Sequence, residues 1–185
     1  AIATRIRRER SVKNRIVAFK SCFPNSWISA EGTDPGDPDS AERTSANCRA
    51  AYLGLLPFFL ARPGTLFVAF TAPPMARPVP GVKGKALGVV RTLLGKPDHV
   101  EAVGQRARSF NNWLKDMDHG WLKDYALSNV VVFDYYDVLT GYGASNWSAY
   151  PTGGGRDSHP SCEGNTRAAK AFIPFLNKAV KRAGL

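Results

Sequence analysis

A histidine near the carboxyl end of the chain has the setting of a general base. His159 follows Asp157 by two residues and precedes Pro160, and a segment of helical pattern comes next. Histidine titrates near neutral pH, so a neighbouring carboxylate can orient its ring and stabilise its charged form. The same spacing is also typical of a helix-entry turn, in which Asp157 or Ser161 only caps the helix. The residues by themselves leave both interpretations open.

For the other residues that could bind a ligand or react, the surrounding sequence gives less support for such a role. His99 and His119 each have an aspartate close by, but both lie in polar stretches typical of a helix surface or a loop. An acidic loop could bind Ca²⁺, yet it lacks the glycine and the final glutamate of an EF-hand loop. Its carboxylates belong to Asp34, Asp37 and Asp39. We therefore predict no metal site and no cofactor.

The segments that must position these residues alternate between strand and helix patterns. In chain order, strands are predicted at 15–20, 66–71 and 130–134, and helices at 41–61, 100–122 and 162–182. A long glycine-containing loop is predicted over 135–160. Because the strands are continuously apolar, they favour parallel βαβ units covered on both faces, in an α/β fold. In such sheets, binding and reacting residues lie beyond the carboxyl ends of the strands.

Length and composition are those of one globular domain. The 185 residues are enough to bury a core, and 44% of them are hydrophobic while 22% are charged. No apolar run approaches the roughly 18–20 residues that a membrane-spanning helix requires. The net charge of +10 is compatible with an anionic partner, but aromatic residues do not alternate with the basic ones as in single-strand-binding proteins. We predict no membrane span and no specific nucleic-acid partner.

The cysteines and the amino terminus leave the compartment open. Cys22, Cys48 and Cys162 cannot all pair within one chain, and their spacing fits no zinc site. One disulfide with one free thiol and three buried thiols are both compatible with these positions. The first residues carry an arginine cluster and no apolar segment, so they do not form a signal peptide.

The residues that follow His159 also form a recognisable pattern. Residues 157–167 read Asp-Ser-His-Pro-Ser-Cys-Glu-Gly-Asn-Thr-Arg and stand between a loop and the closing helix. This stretch resembles the last conserved block of the SGNH (GDSL-type) hydrolase family. Similar stretches occur upstream, so the likeness covers most of residues 14–180. They are residues 16–26, 72–74, 107–114 and 131–134.

The resemblance implies a three-layer α/β/α domain with a parallel, flavodoxin-like sheet and a secreted or periplasmic location. It also implies a serine esterase or lipase-like hydrolase acting on an acyl ester, including a carbohydrate ester. His159 would be the general base, Asp157 its orienting carboxylate and Asn25 a donor to the oxyanion hole. The family usually has its aspartate three residues before the histidine, where this chain has Arg156. Asn25 also suits a simple Pro-Asn turn.

The family's nucleophile has no counterpart in this sequence. That serine lies on a glycine-containing turn upstream of anything that resembles residues 14–26. Ser11 has no such turn, and the residues before 14 are too few for a strand and a crossover, which needs a dozen or more. Ser21 and Cys22 follow a strand but lack a neighbouring base. We therefore expect a sheet that is incomplete at its amino-terminal side, with the nucleophilic serine outside this chain.

Two functional hypotheses follow for the single SGNH-hydrolase-like domain, residues 1–185, which would be the carboxyl-terminal portion of a hydrolase. As an enzyme, it would act on a small-molecule or carbohydrate ester, with an amino-terminal fragment or partner chain completing the sheet. Residues 75–99, rich in Pro, Gly and basic side chains, would form a lid-like insertion or an inert surface excursion. The alternative is a non-catalytic SGNH-like α/β domain that binds an anionic partner through its basic surface.

Overall fold

Three parallel strands form the main sheet of this computed structural model, which describes residues 15–79 and 98–185. The strands are β1 (Ile16–Phe19), β2 (Leu66–Phe70) and β3 (Val130–Phe133). They pair in the order β1-β2-β3, with Ile16 opposite Leu66 in the first ladder. All three predicted strands are present, and the α/β class is confirmed.

The described residues also contain five α-helices, which connect and cover the strands. They are α1 (Ser45–Leu53), α2 (Leu56–Leu60), α3 (His99–Lys115), α4 (Tyr135–Leu139) and α5 (Cys162–Arg182). Side chains cap the amino-terminal ends of two of these helices. The Thr44 hydroxyl accepts the Asn47 N–H at the start of α1, and the Ser161 hydroxyl accepts the Gly164 N–H at the start of α5. These caps satisfy N–H groups that have no partner inside the helix.

The single helix predicted over 41–61 is wrong, because the structure divides it into α1 and α2. Proline has no N–H to donate, and its ring clashes with the carbonyl of the residue four positions earlier. For Pro57 that residue is Leu53, the last residue of α1. Pro57 is instead accepted in the first turn of α2, where no intrahelical donor is required.

The helix predicted over 100–122 also ends early, at Lys115. The next residue, Asp116, is extended, and its carboxylate accepts the backbone N–H groups of Asp118 and His119. Such a side chain offers the backbone an alternative to the helical hydrogen bonds, so the chain turns here.

The segment predicted as a loop over 135–160 contains regular structure as well. It begins with α4 and ends in a two-stranded antiparallel hairpin, β4 (Pro151–Thr152) and β5 (Asp157–Pro160). A single 3₁₀ turn at Gly153–Gly155 joins the two strands. All three of its glycines have positive φ, which side chains rarely tolerate, so this glycine triplet closes the hairpin. The hairpin carries the Asp157–His159 segment.

Side chains of the sheet alternate between two apolar surfaces. Phe67 and Ala69 of β2 belong to a buried cluster with residues of α1, α2 and α3, among them Tyr52, Phe59, Phe110 and Leu114. Leu66 and Val68 point the other way and pack with residues of α5. Both faces of β2 are therefore covered, as its continuously apolar sequence predicts.

β1 lies at an edge of the sheet and is less buried than its neighbours. In the part of the chain that the structure describes, it pairs with β2 and with no other strand, and Ile16 is 41% exposed. The lid-like insertion predicted at 75–99 falls mainly on residues 80–97, which lie outside the described residues. None of the described helices is both long and apolar enough to span a membrane.

Candidate functional site

Asp157 and His159 lie side by side on the exposed face of β5. Asp157 Oδ1 is 2.6 Å from His159 Nδ1 and also accepts the His159 backbone N–H at 3.0 Å. The two side chains are 48% and 67% exposed. The remaining ring nitrogen, Nε2, has no hydrogen-bond partner within residues 15–79 and 98–185. Among the described residues, the histidine is thus oriented by a carboxylate while its second nitrogen is unpaired, which is the arrangement of a general base.

The electrostatics of the pair suit this role. The backbone N–H of His159 and then its ring both donate to Asp157, and they hold the pKa of the carboxyl below its ordinary value. Asp157 therefore stays ionised at neutral pH. An ionised carboxylate stabilises the positive charge that the ring acquires when it takes up a proton.

Ser158 fastens this strand to the rest of the molecule. It is buried between its two exposed neighbours, and its hydroxyl accepts the backbone N–H of Ala76 at 3.0 Å. Alternation of this kind is the rule along a strand. We did not predict a role for Ser158, because the segment was expected to be a loop; recognition of the strand would have shown that Ser158 points inward.

The loop after β1 meets the hairpin beside His159. Phe23, in a 3₁₀ turn at Phe23–Ser26, places its ring centroid 4.9 Å from that of His159, with the rings at 78°. The Ser26 hydroxyl donates to the Pro73 carbonyl at 2.7 Å and ties the loop to the end of β2. The sequence predicts that these segments share one end of the sheet, but nothing in the residue pattern predicts the Phe23 contact.

Asn25 lies on this same turn, two residues after Phe23. Its backbone N–H donates to the Cys22 carbonyl, so it does close a turn. Its side chain is exposed, and the amide has no hydrogen-bond partner among the residues described. Both interpretations of Asn25 are therefore compatible with its geometry: the backbone forms the turn and the side-chain N–H remains free to donate.

The described residues do not supply a nucleophile for His159. Ser21 is only 3% exposed, and Cys22 is exposed without a base in contact. Ser11 lies outside the described residues. No hydroxyl or thiol of residues 15–79 and 98–185 is hydrogen-bonded to the His159 ring. In the part of the chain that the structure describes, the site therefore consists of an acid–base pair and an amide without a hydrogen-bond partner.

A second polar cluster, which we call the ion cluster, lies at the carboxyl end of β3. Asp137 accepts hydrogen bonds from Lys115 and Arg108, and Lys115 also contacts Asp134. Burial would raise the pKa of Asp137, but the hydrogen bonds from these cations outweigh it and lower the pKa to about 2. Burial raises the pKa of Asp134. Because these charges are already paired, the ion cluster ties α3 to α4 rather than offering a free reactive group.

The other histidines and the cysteines form no alternative site. His119 is 85% exposed and lies 3.8 Å from Asp116, while His99 starts α3 beside Trp27. The three cysteines are free thiols, and the two exposed ones are Cys22 and Cys162. Within the described ranges, no group of three or more His, Cys, Asp or Glu is arranged to hold a metal ion.

Comparisons with known proteins find no relative for this chain. No family model matches it, no curated protein matches it, and no solved structure matches it. The SGNH resemblance therefore stays a prediction that depends on the residues quoted above.

Proposed function

We propose that this chain supplies the acid–base and oxyanion residues of a serine hydrolase of the SGNH type, acting on acyl esters. The observation that supports it is the 2.6 Å contact between Asp157 and His159, beside the loop that carries Asn25. In this proposal the three-stranded sheet is part of a three-layer, flavodoxin-like domain. The nucleophilic serine comes from outside this chain.

The reaction follows the usual course of acyl transfer. The serine hydroxyl passes its proton to His159 Nε2 while its oxygen attacks the ester carbonyl carbon. The carbonyl π pair moves onto oxygen, and the Asn25 amide N–H donates to the resulting oxyanion. The C–O bond to the alcohol then breaks, and His159 returns the proton to the leaving alkoxide. Water repeats the sequence on the acyl-enzyme and releases the carboxylic acid.

No described strand pairs with the outer edge of β1, and this edge offers a place for the segment that carries the serine. An amino-terminal fragment or a partner chain that pairs with β1 there would cover that edge, and an unpaired edge is a liability for a sheet. A parallel strand in that position would end near Phe23 and Asn25, because the carboxyl ends of parallel strands share one edge. A loop after that strand could bring its hydroxyl to His159.

The test is hydrolysis of p-nitrophenyl acetate by the protein as its own gene expresses it, and by this 185-residue chain alone. We expect the gene product to be active and the chain alone to show only background hydrolysis. His159→Ala should lower kcat/KM of the gene product by roughly 10²–10⁴-fold, the usual contribution of a general base. Asp157→Asn should cause a smaller loss, since Asp157 acts through the ring.

Free imidazole also cleaves p-nitrophenyl acetate, so any exposed histidine could contribute background hydrolysis. The control for this background is a second histidine that has a carboxylate neighbour. His119→Ala, which removes an exposed ring 3.8 Å from Asp116, should leave kcat/KM unchanged. An inactive gene product, or equal rates for His159→Ala and the parent protein, would overturn the proposal.

A second function is favoured by the charge on α5. Exposed cations occur along this helix, namely Lys170, Lys178, Lys181 and Arg182. They could bind an anionic polymer without any catalysis, and such binding weakens with added salt. Heparin affinity, measured between 50 and 300 mM NaCl (roughly the span over which such binding falls), tests this function. Affinity that is independent of salt, or unchanged in a Lys178→Glu/Lys181→Glu variant, would argue against it.

A further inference from the structure

A cavity beside Asn25 lies between the loop after β1 and α1. Its volume is about 230 Å³, and Asn25 forms part of its lining. Phe23, on the same 3₁₀ turn, lies against His159 instead, and neither of these two is among the described residues that line the cavity. The turn therefore has the acid–base pair on one side and the cavity on the other.

The floor of this cavity is apolar and uncharged. Its buried lining residues include Tyr52, Leu55 and Phe110, and the half-buried Cys48 and Ala51 of α1 also line it. Burial raises the pKa of the Cys48 thiol, and it raises the pKa of Tyr52 to about 12, so both side chains are neutral at physiological pH. Such a floor favours an apolar group over an ion.

The charged residues of the lining do not select a charged ligand. Glu42 and Arg43 are both exposed and carry opposite charges, so their fields oppose each other at the rim and are screened by solvent. Arg43 also donates to the Pro24 carbonyl at 2.9 Å. The hydroxyl oxygens of Ser21 and Tyr52 are closed off from solvent, so they offer no hydrogen bond to a ligand.

Two amide side chains line the cavity, and they differ in what they can offer. Asn47 is already paired on both sides, since its amide N–H donates to the Glu42 carbonyl at 3.1 Å and its oxygen accepts the Asp37 N–H at 2.8 Å. The Asn25 amide is exposed and has no partner within the described ranges. An apolar floor with an amide donor at the rim suits a neutral chain that ends in a carbonyl group.

The orientation of an ester at this site follows from the proton transfer. In the proposed reaction the Asn25 amide holds the carbonyl oxygen, and His159 protonates the alcohol oxygen as it leaves. The alcohol portion of the ester therefore lies on the His159 side of the turn. The acyl portion extends from the other side of the carbonyl carbon, where the cavity is.

We propose that this cavity binds the acyl chain of the ester and accepts chains of short to medium length. A cavity of about 150 Å³ holds one benzene ring, or roughly 25 Å³ per carbon, so 230 Å³ corresponds to about nine carbons. A flexible chain fills space less completely than a ring does, so the longest chain that fits has about eight carbons. This inference rests on the proposed function, because it takes Asn25 as the oxyanion donor.

The test compares p-nitrophenyl acetate, hexanoate and dodecanoate as substrates of the gene product, with the background of His159→Ala subtracted. A buried methylene contributes a factor of about two to four, so kcat/KM for hexanoate should exceed that for acetate by roughly tenfold to a hundredfold. Dodecanoate should react more slowly than hexanoate, because its chain is longer than the cavity. Lengthening the alcohol instead, from ethyl to hexyl acetate, should have little effect.

Filling the cavity should abolish the preference for hexanoate. Ala51→Phe places a ring in the lining, and the ratio of kcat/KM for hexanoate to that for acetate should fall to about one, since the methylenes are then left in solvent. The ratio is the informative readout, because partial unfolding lowers both rates together. Leu53→Phe introduces the same ring on the same helix, at a residue that is 45% exposed and outside the lining, and should keep the parent's ratio.

The possible outcomes separate this inference from the function on which it rests. If the gene product hydrolysed none of the esters, the proposed function would fail and the acyl site with it. Hydrolysis at equal rates for all chain lengths, or an unchanged ratio in Ala51→Phe, would overturn the acyl site alone. Should Ala51→Phe fail to fold, Ala51→Leu decides the same question with a smaller side chain.

Discussion

The Asp137 carboxylate is shared by two cations, and its neutralisation measures what the ion cluster contributes to stability. Asp137→Asn keeps the shape of the side chain but removes the charge that Lys115 and Arg108 contact. Hydrogen bonds to charged groups contribute roughly 1.5–3 kcal/mol each, whereas exposed ion pairs contribute about 1 kcal/mol or less. The three side chains are 18–31% exposed, between these two limits. We therefore expect Asp137→Asn to lower the free energy of unfolding by about 2–3 kcal/mol at pH 7.

The same carboxylate predicts a specific acid dependence. The pKa of Asp137 falls from 3.8 to about 2 on folding, because hydrogen bonds from the cations outweigh the effect of burial. Since the folded-state pKa is the lower one, the stabilisation is fully present above about pH 4 and is lost as the pH falls towards about 2. Solvent screening of these partly exposed groups reduces the titrating part to about 1–2 kcal/mol. The difference between the parent protein and Asp137→Asn should shrink over this pH range.

Urea unfolding followed by circular dichroism at pH 7, 4 and 3 (steps across roughly the predicted window) provides the measurement. Asp124→Asn removes an exposed carboxylate and serves as the control, with an expected change within about 0.5 kcal/mol. If Asp137→Asn were as stable as this control at pH 7, the ion cluster would not stabilise the fold. A difference that stayed constant from pH 4 to pH 3 would refute the assigned titration of Asp137.

Three further substitutions, each measured by urea unfolding, test two hydrogen-bonded contacts at the ends of β2 and β3 and the packing of α5. Asn111→Ala removes the acceptor of the buried Ala72 N–H and should cost about 1–3 kcal/mol; a loss under about 0.5 kcal/mol would contradict this contact. Asn129→Ala removes an amide that donates to three backbone carbonyls at 3.0–3.2 Å, and should cost about 2–3 kcal/mol. Full stability of this variant would show that water replaces the amide. Gly164→Ala places a methyl group 2.8 Å from Tyr150 Cβ and should cost about 1–3 kcal/mol, whereas Gly64→Ala, with open space around it, should be neutral. Equal stability of the two glycine variants would argue against close packing of α5 on the loop before the hairpin.

Local sequence was informative where one physical rule dominates. The strands at β1, β2 and β3 are short apolar runs, and such runs need cover on both faces, so the α/β class could be predicted. The closing helix, α5, was also predicted, because its cap residue and apolar spacing occur together at Ser161 and beyond. Helix ends were predicted poorly, since the effect of Pro57 and the Asp116 turn each override an otherwise helical pattern.

Within the candidate site, too, contacts between neighbouring residues could be predicted from the sequence and contacts between distant residues could not. The pairing of Asp157 with His159 could be anticipated, because two residues on one short segment cannot lie far apart. The hairpin that exposes both and buries Ser158 was missed, because β4 and β5 stabilise each other across a glycine turn and neither has a strong strand sequence. The ion cluster was also missed, since its members are spread over residues 108–137 and no local spacing connects them.

Taken by itself, the sequence determined the class of fold and the acid–base character of the Asp157–His159 segment, because both depend on neighbouring residues. Only the tertiary structure decided that Phe23 lies against His159, and that Lys115 and Arg108 both contact Asp137. Those contacts join residues that are far apart in the chain. Their positions follow from how the strands and helices pack, and no short stretch of sequence contains that information.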